Sequence, residues 1–352
     1  MFRFTRLRRG ALAIAVVVTM VLPLTAASRY QVPAPAPARL PPVTAQMLPQ
    51  AYAANQATVL KAVRDAQAAG AEGRTTRLQA LAREGRQFLT FDGRGPGRVV
   101  EVLGDLARAN RIAVLVPGAD TSVDTYDSLS GNPPEAPDRQ SDGTPCEVPA
   151  GHTAARVDSR SLGGAAVELS RELCKQDPAA RTAVVTWLGY DTPKLTSPAI
   201  LTDGSARDAS PALRAFVATM HQINPKAKVS MLCHSYGSVV CARSAEGLDV
   251  SNIVLFGSPG VGASDVAALH TPATVWAGRG ASDWIAKIPH LSIGLPDGSN
   301  LGFGQDPTAA SFGARHFPAG PGGHSDYFNP GSLSLYNLAR IILDRRPETA
   351  HA

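Results

Sequence analysis

Five short runs, at 112–116, 183–187, 229–232, 253–256 and 274–276, are apolar at nearly every position. A strand with one wet face alternates apolar and polar residues. These runs do not alternate, so both of their faces must be covered. Helical stretches are expected near 161–175, 210–222, 236–246 and 262–269, with a last one near 332–344. Buried strands alternating with helices imply a mostly parallel α/β sheet with helices on both faces. Ligands then bind beyond the carboxyl ends of the strands. That rule lines up Pro117-Gly118-Ala119-Asp120, Leu188-Gly189-Tyr190-Asp191, Ser235, Gly257-Ser258 and Asp283 along one rim. Ahead of the parallel strands, 88–91 and 98–103 read as a hairpin closed by Asp92-Gly93-Arg94-Gly95-Pro96-Gly97. This turn lacks the lysine-serine/threonine ending of a phosphate loop and the strand–loop–helix setting of a dinucleotide fingerprint, so neither is assigned.

Chemistry concentrates at Cys233-His234-Ser235-Tyr236-Gly237-Ser238, between the run ending at Leu232 and the small-residue helix Val239-Val240-Cys241-Ala242. A serine on a sharp strand-to-helix turn, written G-x-S-x-G, projects its hydroxyl above the sheet. Strand and helix pass close there, so the positions two before and two after the serine must be small. Gly237 meets this demand, and Cys233 replaces the first glycine with another small residue.

A serine hydroxyl needs a base to take its proton and a third group to orient that base. With the chain order Ser, acid, His, the base comes late. The late histidines are His290, His316, His324 and His351. His324 is preferred, because Ala319-Gly320-Pro321-Gly322-Gly323 leads into it and the last helix follows; His316 is its competitor. Asp283, just past the 274–276 strand, is the preferred acid, with Asp265 and Asp306 as alternatives. The oxyanion would be met by the backbone N–H of Tyr236 and one from Gly118 or Ala119. Trp187, Tyr190 and Trp284 are candidates to line an acyl pocket, or else plain core aromatics.

Several spaced motifs carry a resemblance. They are Val114-Leu115-Val116-Pro117-Gly118, Val185-Thr186-Trp187-Leu188-Gly189-Tyr190-Asp191-Thr192-Pro193, the His-Ser-Tyr-Gly-Ser core, Phe312-Gly313-Ala314-Arg315 and Gly323-His324-Ser325-Asp326-Tyr327. Together they resemble a bacterial family of α/β-hydrolases of unassigned substrate, over roughly 87–345. The resemblance implies an α/β-hydrolase fold with Ser235 as nucleophile and His324 as base, and it carries Asp283 over as the acid. The expected activity is a serine hydrolase acting on an ester or related acyl bond, with a small-molecule or lipid-like acyl substrate. An acyltransferase with the same triad and a non-catalytic binding protein of the same fold are the alternatives.

The ends set the compartment. Arg3, Arg6, Arg8 and Arg9 precede an uncharged apolar stretch at 11–26, and Thr25-Ala26-Ala27 fits a small-residue cleavage site. Residues 1–27 therefore read as a secretory signal, with an uncleaved membrane anchor through 11–27 as the alternative. The expected location is outside the inner membrane, secreted or in the cell envelope. Removing those four arginines takes the formal charge from +5 to +1, which leaves no basic excess for nucleic acid. No cofactor is expected, and no metal, since no H-E-x-x-H or tight His/Asp cluster occurs. The expected organisation is a proline-rich linker at 28–43, a helical extension at 44–85, the hydrolase domain at 86–346 and a tail at 347–352. Of the four cysteines, Cys233 and Cys241 are expected as buried small hydrophobes. Cys146 and Cys174 are expected either as a bridge or as free thiols.

Overall fold

The computed structural model of the protein describes residues 32–127 and 158–350. From Pro33 onward the chain forms one compact unit. In order, the elements are α1 (Leu48–Ala68), α2 (Glu72–Leu81), β1 (Gln87–Asp92), β2 (Arg98–Leu103), β3 (Arg111–Val116), α3 (Leu162–Gln176), β4 (Thr182–Leu188) and α4 (Gly204–Ile223). They continue with β5 (Lys228–His234), α5 (Tyr236–Ser244), β6 (Asn252–Phe256), β7 (Thr274–Gly278), β8 (Ile293–Gly294), β9 (Asn300–Leu301), β10 (Arg315–His316) and α6 (Leu333–Ile342).

Eight strands form one sheet in the order β1-β2-β4-β3-β5-β6-β7-β10. The β1–β2 and β2–β4 pairs are antiparallel, and every pair from β4 to β10 is parallel. The apolar runs are the strands of this parallel part, and every residue of β6 is buried. Continuous burial is what an unbroken apolar strand requires when helices cover both faces. The chain therefore has an α/β-hydrolase architecture with an N-terminal helical segment.

The helical segment has a clear task. β1 is one of the two edge strands, and an open edge invites pairing with other chains. Asn55 of α1 donates to the Leu89 carbonyl at 2.9 Å and accepts from the Phe91 N–H at 3.1 Å, so its amide satisfies backbone groups of that edge. Val59, Val63 and Ala66 are buried, as their spacing on one helix face predicts. Residues 33–43, within the expected proline-rich linker, carry no helix or strand. Part of this stretch, including Pro37 and Leu40, lines a groove with Trp187 and Phe216.

A polar network lies beneath β2 and β4. Arg86 makes two 2.7 Å bonds to Glu101, and also pairs with Asp127. The Tyr126 hydroxyl donates to Glu101 at 2.7 Å and lies 2.7 Å from Thr186 Oγ1. Burial opposes the Arg86 charge, and its two carboxylate partners outweigh that, holding the guanidinium fully protonated.

One expected helix is absent. The stretch 262–269 forms only a 3-10 turn, Ala267–Leu269. Gly260 and Gly262 have φ of 116° and 72°, and the Gly262 N–H donates to the Phe303 carbonyl at 2.7 Å. A long-range contact takes the place of local helix bonds. α4 also starts earlier than expected, at Gly204, and carries Pro211 inside it.

Candidate active site

β5 runs through the centre of the sheet and ends at His234, and α5 begins at Tyr236. Ser235 alone makes the turn between them, with φ 53° and ψ −126°. A non-glycine residue there is strained by about 1–3 kcal/mol, and the neighbours hold it in place. The Ser235 N–H donates to the Phe256 carbonyl at 3.0 Å. The Ser238 hydroxyl donates to the Ser235 carbonyl at 2.6 Å. At Gly237 any Cβ would lie 2.5 Å from the Val116 carbonyl oxygen and 2.6 Å from that of Pro117, so only glycine fits.

The cysteine expectation needs correction. Cys233 and Cys241 are buried, but they are joined as a disulfide rather than packed as separate thiols. The bridge ties β5 to α5 across Ser235. The cause is the elbow itself, which folds the helix back along the strand and brings the two side chains together. Cys174 is also disulfide-bonded; Cys146, its expected partner, lies outside the described residues.

His324 Nε2 lies 2.9 Å from Ser235 Oγ, and His324 Nδ1 lies 2.9 Å from Asp283 Oδ1. The glycine-rich approach to His324 is pinned to the loop carrying Asp283. The Ala281 N–H donates to the Gly320 carbonyl at 2.9 Å. A Cβ on Gly280 would meet the Gly322 carbonyl oxygen at 2.1 Å. Asp283 is buried and accepts two further bonds, from the Tyr327 hydroxyl at 2.6 Å and the Ile285 N–H at 2.9 Å. Burial alone would raise this carboxyl; the bonds from His324, Tyr327 and Ile285 outweigh it and hold it below the ordinary aspartate range.

The competing residues lie elsewhere. His316 is exposed on the edge strand β10, with Nε2 3.1 Å from the Thr308 carbonyl oxygen. Asp265 is half-buried and accepts from the Ala268 N–H at 2.9 Å. Asp306 pairs with Arg279, and His290 lies 3.6 Å from Asp306.

Two positioning residues escaped the sequence reading. Tyr327 was visible within the His324-Ser325-Asp326-Tyr327 motif, but nothing in the sequence aimed its hydroxyl at Asp283. His234 precedes the serine, and its Nε2 lies 2.8 Å from the backbone carbonyl oxygen of His324. A carbonyl only accepts, so His234 Nε2 carries the proton. Its ring packs against His324 and Phe256, with centroids 4.8 and 5.3 Å away. Burial first, and then the neighbouring His324, push the His234 pKa from 6.5 down to about 3. The neutral ring therefore stabilises the fold fully above pH 6.5, and this contribution is lost as the pH falls from 6.5 toward 3. His234→Phe removes the donor to the His324 backbone. It is expected to lower kcat about 10- to 10²-fold with KM little changed, because a base displaced by a fraction of an ångström reacts poorly. His234→Gln, which can still donate, is expected to recover part of the loss. An unchanged kcat in His234→Phe contradicts this role.

The expected anion-binding loop follows β3. A Cβ on Gly118 would lie 2.7 Å from Ser235 Cβ, so this glycine lets the loop touch the elbow. Tyr190 donates to the Pro117 carbonyl at 2.7 Å, and the Asp120 N–H donates to the Pro193 carbonyl at 3.0 Å, fixing the loop. The N–H groups of Gly118, Ala119 and Tyr236 have no acceptor among the described residues. Tyr236 also opens α5, where the helix dipole favours negative charge.

Ser235 and His324 open into a cavity of about 210 Å³, with Leu162, Phe256 and Phe328 among its walls and Arg160, Leu195 and Trp284 also lining it. Trp284 sits 4.6 Å from the His324 ring, centroid to centroid. Trp187 and Tyr190 do not line this cavity. Both are buried and stack on each other at 5.9 Å. A strand side chain points to a sheet face rather than to the rim, and Trp187 meets Phe216 of α4 at 6.2 Å.

Comparison with known proteins finds relatives in sequence and in structure. An uncharacterized protein of Mycobacterium tuberculosis strain H37Rv, Rv2079, is 28% identical over 279 residues, covering 70% of this chain and 37% of the relative. The uncharacterized protein Mb0988c of Mycobacterium bovis is 38% identical over 82 residues, covering 22% of this chain and 30% of its own. The chain thus spans about a third of the length of these curated relatives. Among solved structures, esterase PE8 has a TM-score of 0.41 at 15% identity, covering 69% of this chain and 96% of that one. XC6422 of Xanthomonas campestris, an α/β serine hydrolase without a lid, has a TM-score of 0.39 at 16% identity, covering 76% and 98%. Residues 92–293 match a family model described as alpha/beta hydrolase. Since that stretch carries the sheet from β2 to β7, the elbow and Asp283, the chain belongs to the alpha/beta hydrolase family.

Proposed function

We propose that this protein is an exported serine hydrolase that cleaves a carboxylic ester through an acyl-enzyme on Ser235. The observation that carries the proposal is the unbroken relay from Ser235 Oγ through His324 to Asp283, 2.9 Å at each step. His324 Nε2 takes the hydroxyl proton as Oγ attacks the ester carbonyl carbon. Asp283 holds Nδ1–H and offsets the charge of the imidazolium. The tetrahedral oxyanion is met by the N–H of Tyr236 and one from Gly118 or Ala119. When the tetrahedral species collapses, the carbon–oxygen bond to the alcohol breaks and His324 returns the proton to the leaving oxygen. Water then repeats the sequence on the acyl-enzyme and releases the acid.

The cavity limits the acyl group. At about 210 Å³ it falls below the ~300–1,000 Å³ of sites for drug-sized ligands. A short acyl group fits inside, and the alcohol part extends over the rim. Across a chain-length series of p-nitrophenyl esters, turnover by the purified protein is expected to peak at short acyl chains. A peak at long chains contradicts the assignment of this cavity.

Export is supported by the arginine-led apolar start and by the Cys233–Cys241 bridge, since disulfides persist in oxidising compartments. Among the described residues no helix is long and apolar enough to cross a membrane. N-terminal sequencing of protein recovered from the medium or envelope reads the start directly. An intact Met1 on soluble cytoplasmic protein contradicts export.

A further inference from the structure

Seven large hydrophobic residues are conspicuously exposed among the described residues, and six of them lie in two chain segments, 195–201 and 284–301. They are Leu195, Leu201, Trp284, Leu291, Ile293 and Leu301, between 39% and 62% exposed. Leu195 and Trp284 line the cavity that holds Ser235. The other four are tied together by backbone bonds. Ile293 pairs directly with Leu301 in the β8–β9 hairpin. Thr202, next to Leu201, bridges to Leu301. The Gly302 N–H donates to the Leu201 carbonyl at 2.8 Å, and the Gly304 N–H donates to the Leu291 carbonyl at 2.9 Å. The two segments that line the mouth at Leu195 and Trp284 thus lead along the chain into an apolar ridge at the hairpin.

We infer that this ridge docks the protein on an anionic lipid surface, from which the cavity takes its ester. Exposed apolar residues clustered at a hairpin are costly in water and mark an interaction surface. Its chemistry favours lipid over another protein. The segments 194–201 and 284–293 carry Lys194, Lys287 and His290 and no carboxylate. Aliphatic side chains with a tryptophan and flanking lysines suit a lipid boundary, where the lysines reach the headgroups. Carboxylates lie beside these segments: Asp297 at the hairpin turn accepts from the Ser299 N–H and hydroxyl at 2.9 and 2.6 Å, Asp306 lies 3.6 Å from His290, and Asp120 accepts from the Leu195 N–H at 3.3 Å, which leaves Lys194 and Lys287 as the cations facing a headgroup. The continuity of the ridge with the mouth supplies the link to function. An ester carried by a lipid-like molecule can enter the cavity without leaving the surface. This last step rests on the hydrolase reading; the docking itself does not.

The test is co-sedimentation of the inactive Ser235→Ala protein with phosphatidylglycerol vesicles and with phosphatidylcholine vesicles. Binding is expected, and stronger to the anionic vesicles. The combined variant Leu291→Ser, Ile293→Ser, Leu301→Ser is expected to lose about tenfold or more of that binding. In the otherwise active protein these changes should leave turnover of a water-soluble ester unchanged. Leu201→Ser alone, checked by thermal melting, serves if the triple variant does not fold, and it should weaken binding in the same direction. Absence of vesicle binding, or binding that the ridge variants do not weaken, overturns the inference. So does a concentration-dependent dimer that the same substitutions abolish while vesicles are ignored. Vesicle binding by a protein that never reacts with an ester would sink the hydrolase reading and leave the docking surface standing.

Discussion

Ser235→Ala is expected to lower kcat on p-nitrophenyl butyrate by about 10⁴-fold or more, with thermal melting close to that of the unaltered protein. The size follows from the chemistry. Without Oγ there is no acyl-enzyme, and His324 has no hydroxyl to activate. What survives is the binding and oxyanion stabilisation supplied by the cavity and the N–H groups. The fold should tolerate the change, because the bonds that hold the elbow use the Ser235 backbone and leave its hydroxyl free for His324. Alanine keeps the small side chain at the strained position. Near-normal turnover in this variant would remove Ser235 as the nucleophile.

Asp283→Asn is expected to cost on the order of 10⁴ in kcat, again in a folded protein. A neutral amide cannot offset the imidazolium charge that forms during attack. The site also gives the amide no good orientation. One carboxylate oxygen accepts from both His324 and Ile285, and the other accepts from Tyr327. An asparagine keeps only one acceptor. If its NH₂ turns to His324, it opposes the Ile285 N–H and favours the wrong ring tautomer. If its NH₂ turns to Tyr327, that hydroxyl loses its acceptor. A mild effect at Asp283 beside a severe one at Asp265 or Asp306 would reassign the acid.

Much of this was legible in the sequence, for a physical reason. Strands buried on both faces cannot hide their composition, so β3, β4, β5, β6 and β7 stand out as apolar runs. The elbow is legible because sterics leave little choice: Gly237 has two carbonyl oxygens within 2.6 Å of where a Cβ would lie. His324 and Asp283 were read from their place in the chain, after the elbow and past β7. What stayed hidden depends on long-range contacts. The hairpin β8–β9 and the edge strand β10 are only two residues long each, too short for periodicity to register. The stretch 262–269 looks helical until Phe303 takes up its backbone. Trp187 and Tyr190 sit close to the rim in sequence, and only the sheet geometry turns them into the core. The Cys233–Cys241 bridge left one trace, a cysteine where a glycine usually stands, with a second one eight residues on. His234 gave no signal of its role, because its partner is a backbone carbonyl ninety residues away.

The central claim, that Ser235 is an activated nucleophile served by His324, is tested most directly with a fluorophosphonate probe followed by peptide mapping. The expected result is one label per molecule, carried by the peptide that contains Ser235. Labelling should vanish in Ser235→Ala, fall sharply in His324→Ala and persist in His316→Ala. A folded protein that takes no label, or takes it on another residue, would contradict the account, as would a His316→Ala variant that loses labelling while His324→Ala keeps it.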